Sequence, residues 1–500
     1  MKLKVIASSV VTVALFALVA TNASAQRYEP NWESLDARPT PDWYLDAKLG
    51  IFIHWGVYSV PSFAYPDSYS EWYWDSLNGD HKNSGERQAR NAQATRDFHD
   101  RVYGNDFKYE QFAPRFKAEL FDPNQWADVF RRSGAKYVVL TSKHHDGFAL
   151  WPSKEASNTW GRKWNSVEIG PKRDLLGDLG DSVRAAGMKM GFYYSLYEWF
   201  NPLWLSDRDK YVAEHMIPQF KDVVTRYKPA VIFSDGEWDM EYQKWQSPEM
   251  LAWLFNEAPS RDEVVINDRW GKDIRHKHGG YYTTEYGAGM ADASHAWEEN
   301  RGMGHSFGYN RNEPLSNYKT TKELVWVLAD LVSRGGNFLL DVGPTADGRI
   351  PELQQDRLLE LGAWLDVNGE AIFGTRTWKT SAQWTRGEQP VQGYGEYREK
   401  YDILELAGSA PVDGKARKEV FFTRKGKDLY AITPGLPKGT LTLKGVRVPK
   451  GTAVSMLGLD RTLKWKQKSG DLVISVPMLS ANDVPGRYAY AFKIPGGAGD

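Results

Sequence analysis

Cysteine is absent from this chain of 500 residues, and neither sign of charge is in excess. Without a thiol, the chain has no disulfide, no thiolate nucleophile and no cysteine for lipid attachment. Lys and Arg number 63 against 64 Asp and Glu, so the formal net charge is −1. That balance gives no reason to expect a nucleic acid or an anionic membrane surface as a partner. The length has room for two or three domains with large cores.

Long apolar runs are also scarce, and the clearest one lies near the N-terminus. Two lysines precede the apolar residues 5–20, and the small residues Ala23-Ser24-Ala25 follow. This three-part pattern predicts a cleaved signal peptide over residues 1–25, and with it export to a periplasm or out of the cell. No other segment is apolar enough to predict a membrane span, so we expect no membrane anchor.

Short apolar runs that end in polar or aromatic residues recur between residues 50 and 340. The predicted strands are Gly50–His54, Tyr137–Thr141, Met188–Tyr194, Ala230–Phe233, Val264–Ile266, Tyr281–Thr284, Ser306–Tyr309 and Asn337–Leu340. Helical patterns lie between several of them, at Asp122–Arg132, Asp174–Ala186, Asp207–Tyr227, Pro248–Glu257 and Thr321–Ser333. Alternating strands and helices predict a parallel α/β sheet, and eight strands favour a closed (β/α)8-like barrel over an open sheet.

Two regions depart from that alternation. Residues 71–108 are polar and predict a long loop after the first strand, which we expect to shape a binding site. From Trp378 onward, short strands separated by glycine-containing breaks predict an antiparallel β-sandwich. We therefore expect a signal peptide over residues 1–25, a catalytic barrel over 26–378 and a C-terminal β-sandwich domain over 379–500.

Polar side chains follow the predicted strands, most clearly in AVIFSDGEWD at residues 230–239. A carboxylate just after a buried strand is costly without compensation, and catalytic groups lie at this end of a barrel. An Asp here could equally cap the following turn. Other strand ends and nearby segments offer His54, Glu71, Trp72, His144, His145, Tyr193, Arg269, Glu285 and Phe307. Histidines, acids and an arginine gathered at one end of a barrel favour a functional site over packing.

The histidines could bind a metal ion, but the sequence gives this alternative little support. Neighbouring residues on an extended strand point to opposite sides. The HExxH spacing of many zinc sites does not occur in the chain. We therefore expect neither a metal nor another cofactor.

A series of motifs, taken in order, resembles the α-L-fucosidases of glycoside hydrolase family 29. The motifs are GIFIHWG, EWYW, FAPRFKAELFDPNQWADVF, GAKYVVLTSKHHDGFALWPS, PKRDLLGDL, GFYYS, SDGEW, NDRWG and SFGYNR. The resemblance covers residues 31–378, and VSMLGLDRTLKW extends it weakly into the C-terminal part. It implies a (β/α)8-like barrel followed by a β-sandwich, which agrees with the pattern of strands and helices.

The resemblance also implies roles for individual residues. By position, Asp235 matches the family's nucleophile, and Glu285 in TTEYG matches the acid/base of bacterial members. The residues implied to hold the fucose ring are His54, Glu71, Trp72, His144, His145, Tyr193, Arg269 and Phe307. The acid/base position is the least uniform feature of the family, so Glu298 and Glu299 in WEENRG are the alternatives to Glu285.

Together these matches imply an exported, retaining α-L-fucosidase acting on a fucosylated oligosaccharide or glycoconjugate. A retaining glycosidase needs a nucleophilic carboxylate and a carboxylic acid roughly 5 Å apart. Two alternatives stay open. One is a sugar-binding protein on the same barrel, although it would need neither Asp235 nor Glu285. The other is an enzyme for a related sugar such as a galactoside, because rejecting one hydroxyl in an apolar pocket is worth only ~1–3 kcal/mol.

Overall fold

The computed structural model describes residues 27–81, 84–287, 289–389, 403–480 and 483–499. The predicted signal peptide, residues 1–25, lies outside these ranges, so its prediction stands on the sequence alone. Over the described ranges, no helix combines the length and the apolar character needed to cross a membrane.

Eight parallel strands form one curled sheet in the order β5-β4-β3-β2-β1-β8-β7-β6. The strands are β1 (Leu49–Ile53), β2 (Tyr137–Lys143), β3 (Lys189–Ser195), β4 (Val231–Asp235), β5 (Val265–Ile266), β6 (Tyr282–Glu285), β7 (Trp297–Gly302) and β8 (Asn337–Val342). The helices of this part are α1 (Trp32–Asp36), α2 (Asp42–Ala47), α3 (Tyr73–Asn78), α4 (Glu86–Val102), α5 (Pro123–Arg132), α6 (Lys154–Trp160), α7 (Leu175–Ala185), α8 (Pro202–Ser206), α9 (Arg208–Lys210), α10 (Ile217–Tyr227), α11 (Tyr242–Trp245), α12 (Ser247–Asn256), α13 (Thr321–Ser333) and α14 (Glu352–Asn368). A π-helical turn over Tyr211–Met216 joins α9 to α10.

Side chains on one face of each strand fill the inside of the curled sheet. The buried cluster there includes Phe52, Val139, Val231, Phe233 and Leu339. The alternate residues of the same strands pack against the surrounding helices, as the two-residue period of a strand requires. Helix α2 adds Tyr44 and Ala47 to the inner cluster. The interior is therefore a packed core beneath the C-terminal ends of the strands, not a channel.

Strands β5 and β6 end the sheet and share no backbone ladder. Between them, the Tyr281 amide donates to the Ile266 carbonyl over 3.1 Å. Asp268 Oδ1 accepts from the amide and the hydroxyl of Thr283, at 3.1 and 2.7 Å. A backbone hydrogen bond and the side chains of Asp268 and Thr283 thus bridge the seam between β5 and β6, where no backbone ladder forms. The predicted (β/α)8-like fold is confirmed, with this seam as its local departure.

Two predicted elements are wrong. The seventh strand is Trp297–Gly302, and the predicted Ser306–Tyr309 is irregular. The sequence WEENRG of the true strand does not predict a buried strand, because most of its residues are polar. In the structure these residues are all buried, and hydrogen bonds and ion pairs compensate their polar groups. The predicted loop over residues 71–108 is largely helical, as α3 and α4. The buried face of α4 includes Asn91, Thr95 and His99, so it carries little apolar signal.

Two antiparallel sheets form the C-terminal part, in the orders β13-β16-β11-β10-β9 and β12-β15-β14. Their strands are β9 (Ala382–Trp384), β10 (Lys418–Lys425), β11 (Asp428–Thr433), β12 (Thr440–Leu443), β13 (Ser455–Met456), β14 (Trp465–Lys468), β15 (Asp471–Ser475) and β16 (Tyr490–Ile494), and a short helix α15 (Ile403–Leu406) precedes β10. Phe422 and Leu429 from the larger sheet share a core with Leu443 and Ile474 from the smaller one. The two sheets thus pack face to face, and the predicted sandwich is confirmed.

The sandwich is also packed against the barrel. Phe421 and Tyr430 alternate with the residues that face the smaller sheet, and they join the core of the barrel helices. Lys418 of β10 forms a buried ion pair with Asp330 of α13. The Trp364 indole donates to the Ala489 carbonyl over 2.9 Å. The larger sheet is therefore buried on both faces, while the domain limits at 378 and 379 stay a prediction.

Candidate active site

A cavity of about 380 Å³ lies at the C-terminal ends of the barrel strands. Apart from His145 and the two alternative acids, Glu298 and Glu299, every residue that the sequence marked as a site candidate lines it. The lining residues are Phe52, His54, Tyr69, Glu71, Trp72, Arg87, His144, Tyr193, Phe233, Asp235, Trp238, Arg269, Glu285, Asn300 and Phe307. Residues far apart in sequence meet here because the C-terminal ends of parallel strands lie at one edge of the sheet.

Asp235 is the last residue of β4, and its side chain faces the barrel interior. Val231 and Phe233 of the same strand belong to the inner core, and the two-residue period places Asp235 directly above them. The next residue, Gly236, has φ +75°, and a Cβ there would lie 2.3 Å from a ring carbon of Tyr197. The SDG sequence therefore turns the chain sharply at the point where the carboxylate enters the cavity.

The Asp235 carboxylate is held by several donors. Oδ1 accepts from Arg269 Nη1 at 2.8 Å, and Oδ2 accepts from the Tyr193 hydroxyl at 2.9 Å. Arg275 Nη2 lies 3.7 Å from Oδ1. Burial alone would raise the pKa of Asp235, but the two guanidinium groups outweigh it and hold that pKa below its usual value. Asp235 is therefore a buried, ionised carboxylate.

Glu285 is the last residue of β6 and lies on the other side of the same arginine. Its Oε1 accepts from the Tyr69 hydroxyl at 3.0 Å, and its Oε2 lies 3.4 Å from Arg269 Nη2. Burial raises the pKa of Glu285, and the negative charge of Asp235 raises it further. The environments of the two carboxyl groups thus shift their pKa values in opposite directions, the arrangement that separates an acid from a nucleophile.

A chain of hydrogen bonds sets the orientation of Arg269. Its Nε donates to Thr283 Oγ1 at 3.0 Å, and the Thr283 hydroxyl donates to Asp268 at 2.7 Å. The remaining guanidinium nitrogens then face Asp235 and Glu285. The side chains that bridge the seam between β5 and β6 therefore also place the cation shared by the two carboxyl groups.

Three histidines surround the cavity as neutral imidazoles, because burial lowers the pKa of each well below its usual value. His54 Nδ1 lies 2.6 Å from Asp341 Oδ1. His145 Nδ1 lies 2.6 Å from Ser195 Oγ, and its Nε2 lies 3.7 Å from Asp235 Oδ2. His145 thus stands behind the cavity wall, beside Asp235.

Two buried polar atoms of lining residues have no hydrogen-bond partner among the described residues. They are Glu71 Oε1 and His144 Nδ1. The other Glu71 oxygen accepts from the Gly308 amide at 2.9 Å and lies 3.2 Å from Ser306 Oγ. Burial raises the pKa of Glu71 to about 7. Unpaired buried polar groups are costly, so these two atoms are available to hydrogen-bond with a polar ligand.

One side of the cavity is apolar. The rings of Phe52 and Phe233 lie 4.9 Å apart, and Phe307 stacks on His54 with centroids 4.9 Å apart. Trp72, which the sequence also predicted for the site, lines the cavity as well, and its ring centroid lies 5.9 Å from that of Trp238. The cavity therefore joins an apolar wall to polar groups, as specific small-molecule sites do.

The two alternative acids lie outside the cavity. Glu298 faces the interior but sits in the layer below, where it accepts hydrogen bonds from Tyr44 at 2.9 Å and from Tyr137. Glu299 faces away from the interior and accepts a hydrogen bond from the Thr284 hydroxyl. Both lie on strand β7 itself, not in the loop where the sequence analysis placed them. The carboxyl groups that line the cavity are those of Glu71, Asp235 and Glu285.

Sequence reasoning missed several lining residues. Tyr69 precedes the EWYW motif by two residues, and Trp238 closes SDGEW, so both stood beside recognised motifs. Asn300 was missed because its strand was placed elsewhere. Arg87 lies on α4, in a stretch read as a loop. Over the described ranges, no group of three or more His, Asp or Glu side chains is arranged to hold a metal ion.

Comparisons with known proteins show which family the chain belongs to. Residues 15–370 match the family model described as alpha-L-fucosidase, and residues 413–495 match that of the alpha-L-fucosidase C-terminal domain. The alpha-L-fucosidase of Branchiostoma floridae is 40% identical over 94% of this chain and 96% of its own, and the tissue alpha-L-fucosidase of Homo sapiens is 39% identical over 94% and 92%. The structure of Thermotoga maritima alpha-fucosidase in complex with fucose aligns with a TM-score of 0.73 at 35% identity, covering 94% of this chain and all of that one. This chain belongs to the alpha-L-fucosidase family of glycoside hydrolases, glycoside hydrolase family 29.

Proposed function

We propose that the protein releases terminal α-L-fucosyl residues from glycans with retention of configuration, with Asp235 as nucleophile and Glu285 as acid/base. The observation that carries this proposal is the pair of cavity carboxyl groups on either side of Arg269. One is kept ionised while the pKa of the other is raised. A retaining pair needs its carboxyl groups close together, roughly 5 Å apart, and contact with one guanidinium keeps Asp235 and Glu285 near each other.

In the first step, an oxygen of Asp235 bonds to the anomeric carbon of fucose, and the bond to the leaving oxygen breaks. Glu285 gives its proton to that oxygen. In the second step, Glu285, now a carboxylate, takes a proton from water as the water oxygen attacks the anomeric carbon. The bond to Asp235 breaks and fucose leaves with its original configuration.

The rest of the cavity suits the fucose ring. Neutral His54 and His144 can donate to or accept from ring hydroxyls, and Glu71 Oε1 offers an acceptor. Phe233 and Phe307 form an apolar surface for the methyl group at C5. A galactoside carries a hydroxymethyl group there, so this wall favours fucose modestly, by ~1–3 kcal/mol.

Fucose release from an aryl α-L-fucoside and from a panel of fucosylated oligosaccharides tests the proposal. We expect free fucose from the aryl fucoside and from at least one oligosaccharide linkage. Fucose binding without release from any substrate would instead favour the sugar-binding alternative. Faster cleavage of the matching galactosides would favour an enzyme for that sugar.

The pH profile should reflect both carboxyl groups. Since kcat/KM requires Asp235 ionised and Glu285 protonated, we expect a bell shape. The acid limb should lie below the ordinary Asp pKa of about 3.9, and the basic limb above the ordinary Glu pKa of about 4.3. These directions follow from the lowered and raised pKa values of the two residues. A basic limb at or below about 4.3 would contradict the assignment of Glu285.

Removing the Thr283 hydroxyl should disturb both carboxyl groups through Arg269. We expect Thr283→Val to lower kcat/KM about tenfold, the effect of losing roughly one hydrogen bond. Because Arg269 lowers the pKa of Asp235 and of Glu285, its misplacement should move both limbs of the pH profile to higher pH. Thr283→Ser keeps the hydroxyl and should restore the wild-type profile. A Val variant with unchanged limbs would show that Thr283 does not position Arg269.

We also propose export through cleavage of the segment 1–25, on the strength of its charged, apolar and small-residue parts. Expression of the full chain in a bacterial host should give a periplasmic or secreted protein whose N-terminal sequence begins at Gln26. A cytoplasmic product that retains Met1 would contradict export.

A further inference from the structure

A second cavity, of about 140 Å³, adjoins the active-site cavity. It is formed largely by α3 and α4, the helices that follow β1. Its lining comprises Ser68, Tyr69, Trp72, Asp75, Ser76, His81, Arg87, Gln88 and Asn91. Tyr69, Trp72 and Arg87 line the active-site cavity as well, so the two cavities meet at these three side chains.

We propose that this second cavity binds the sugar to which the fucose is attached, and that Asp75 and Gln88 determine which linkages the enzyme accepts. The ligand class is a hydroxyl-rich hexose unit of a glycan. The proposal rests on the fucosidase function proposed above and adds the place of the leaving group.

The position of Glu285 gives the direction in which the leaving group lies. The acid must be within hydrogen-bond reach of the leaving oxygen, so the sugar carrying that oxygen lies beside Glu285. Tyr69 donates its hydroxyl to Glu285 Oε1 at 3.0 Å and also lines the second cavity. A sugar leaving past Glu285 on the Tyr69 side therefore enters this second cavity.

The chemistry of the wall fits a sugar ring. Trp72 presents an aromatic surface, and contacts with Trp199 and Trp238, with centroids 5.2 and 5.9 Å away, hold it in place. Arg87 lies over the Tyr69 ring, with its guanidinium carbon 5.9 Å from the centroid, and donates to the Asp67 carbonyl at 3.0 Å. An aromatic surface beside fixed polar groups is the usual make-up of a small-ligand site.

The floor and the rim of the cavity differ in their freedom to bind a ligand. On the floor, Asn91 Nδ2 donates to Ser76 Oγ at 2.8 Å, and Asn91 Oδ1 accepts from the Tyr65 amide at 2.8 Å. On the rim, Gln88 is exposed on α4 and offers both a donor and an acceptor. Asp75 is half-buried, with its Oδ2 3.5 Å from His81 Nε2, and its carboxylate oxygens can also accept hydrogen bonds from sugar hydroxyls. We therefore assign sugar-hydroxyl recognition to Asp75 and Gln88.

The test compares substrates with and without a second sugar. Fucosyl disaccharides of four linkages (1→2, 1→3, 1→4 and 1→6) and α-L-fucosyl fluoride, which has no second sugar, are assayed with wild type, Gln88→Ala and Asp75→Ala. The readout is the ratio of kcat/KM for each disaccharide to that for the fluoride. We expect this ratio to fall at least about tenfold in each variant, as for the loss of one hydrogen bond, and only for linkages that place a hydroxyl of the second sugar at the substituted side chain.

Gln93→Ala is the matched control, since Gln93 is exposed on the same helix, bonds to Asp97 at 2.7 Å and lines neither cavity. Its ratios should equal those of wild type. A further variant, Gln88→Trp, narrows the rim and should lower the ratio for the same linkages by bulk alone. Unchanged ratios for all linkages in all three rim variants would overturn the proposal. Failure of the wild type to hydrolyse the fluoride would instead overturn the fucosidase function.

Discussion

An Asp235→Asn variant is expected to lose about 10⁴-fold in kcat, as enzymes do when a group central to the chemistry is removed. The amide has nearly the shape of the carboxylate but no negative charge, so it cannot form the bond to the anomeric carbon. Asp235 is the ionised carboxyl group of the cavity, held by Arg269 and Tyr193. The measurement is kcat on an aryl fucoside, together with the melting transition of the variant.

The variant should still fold, because its arginines keep other partners. Arg269 still contacts Glu285, and Arg275 donates to Glu237 at 2.6 Å. Glu237→Gln is a matched control, since Glu237 is also buried against Arg275 but does not line the cavity. We expect it to lose far less kcat than Asp235→Asn does. Near-normal turnover of a folded Asp235→Asn protein would remove Asp235 from the nucleophile role.

Glu285→Ala should slow substrates with poor leaving groups far more than activated ones, because only the former need a proton. Azide should restore turnover of an activated fucoside, since this small anion needs no general base to attack the intermediate on Asp235. The product should be α-fucosyl azide, with the configuration of the substrate retained. Product analysis by NMR, with rates at increasing azide concentration, measures both effects.

Three further variants serve as controls for this experiment. Glu71→Ala removes another cavity carboxyl group with a raised pKa, and Glu298→Ala and Glu299→Ala remove the carboxyl groups of β7. We expect no azide rescue in any of them, because none of these residues approaches Arg269 as Glu285 does. Rescue with α-fucosyl azide in one of these three variants, with Glu285→Ala behaving like wild type, would move the acid/base role to that residue.

The barrel could be predicted because most of its strands carry the signal that sequence reasoning detects. Val231 to Phe233 are apolar and buried on both faces, and the strand ends abruptly at a carboxylate. The strand ends also predicted most of the cavity lining, because parallel strands bring their C-terminal ends together whatever the intervening loops do. His145 shows the limit of that rule: a residue at a strand end can stand behind the wall rather than in it.

The elements that the sequence did not predict are buried through hydrogen bonds and ion pairs of polar side chains, and less through apolar side chains. The sequence of strand β7 is polar, yet Glu298 is buried, and hydrogen bonds from two tyrosine hydroxyls compensate its carboxyl group. Helix α4 buries Asn91, Thr95 and His99 beside Ala92 and Phe98, so its buried face carries only a weak apolar signal. Tyr69 reaches Glu285 from 216 residues away in sequence. Such contacts depend on the tertiary arrangement, which local patterns do not encode.

The central claim is that Asp235 bonds covalently to fucose, and trapping that intermediate tests it most directly. A 2-deoxy-2-fluoro-α-L-fucosyl fluoride should form the intermediate quickly and release it slowly, because the fluorine at C2 destabilises the oxocarbenium-like transition states while the good leaving group keeps the first step fast. Mass spectrometry of the digested protein should then find one added fluorofucosyl group on the peptide that contains Asp235, and fragmentation of that peptide should place the group on Asp235. A label on another residue would contradict this role of Asp235, and so would turnover of an aryl fucoside whose first product has inverted configuration with no label on the protein.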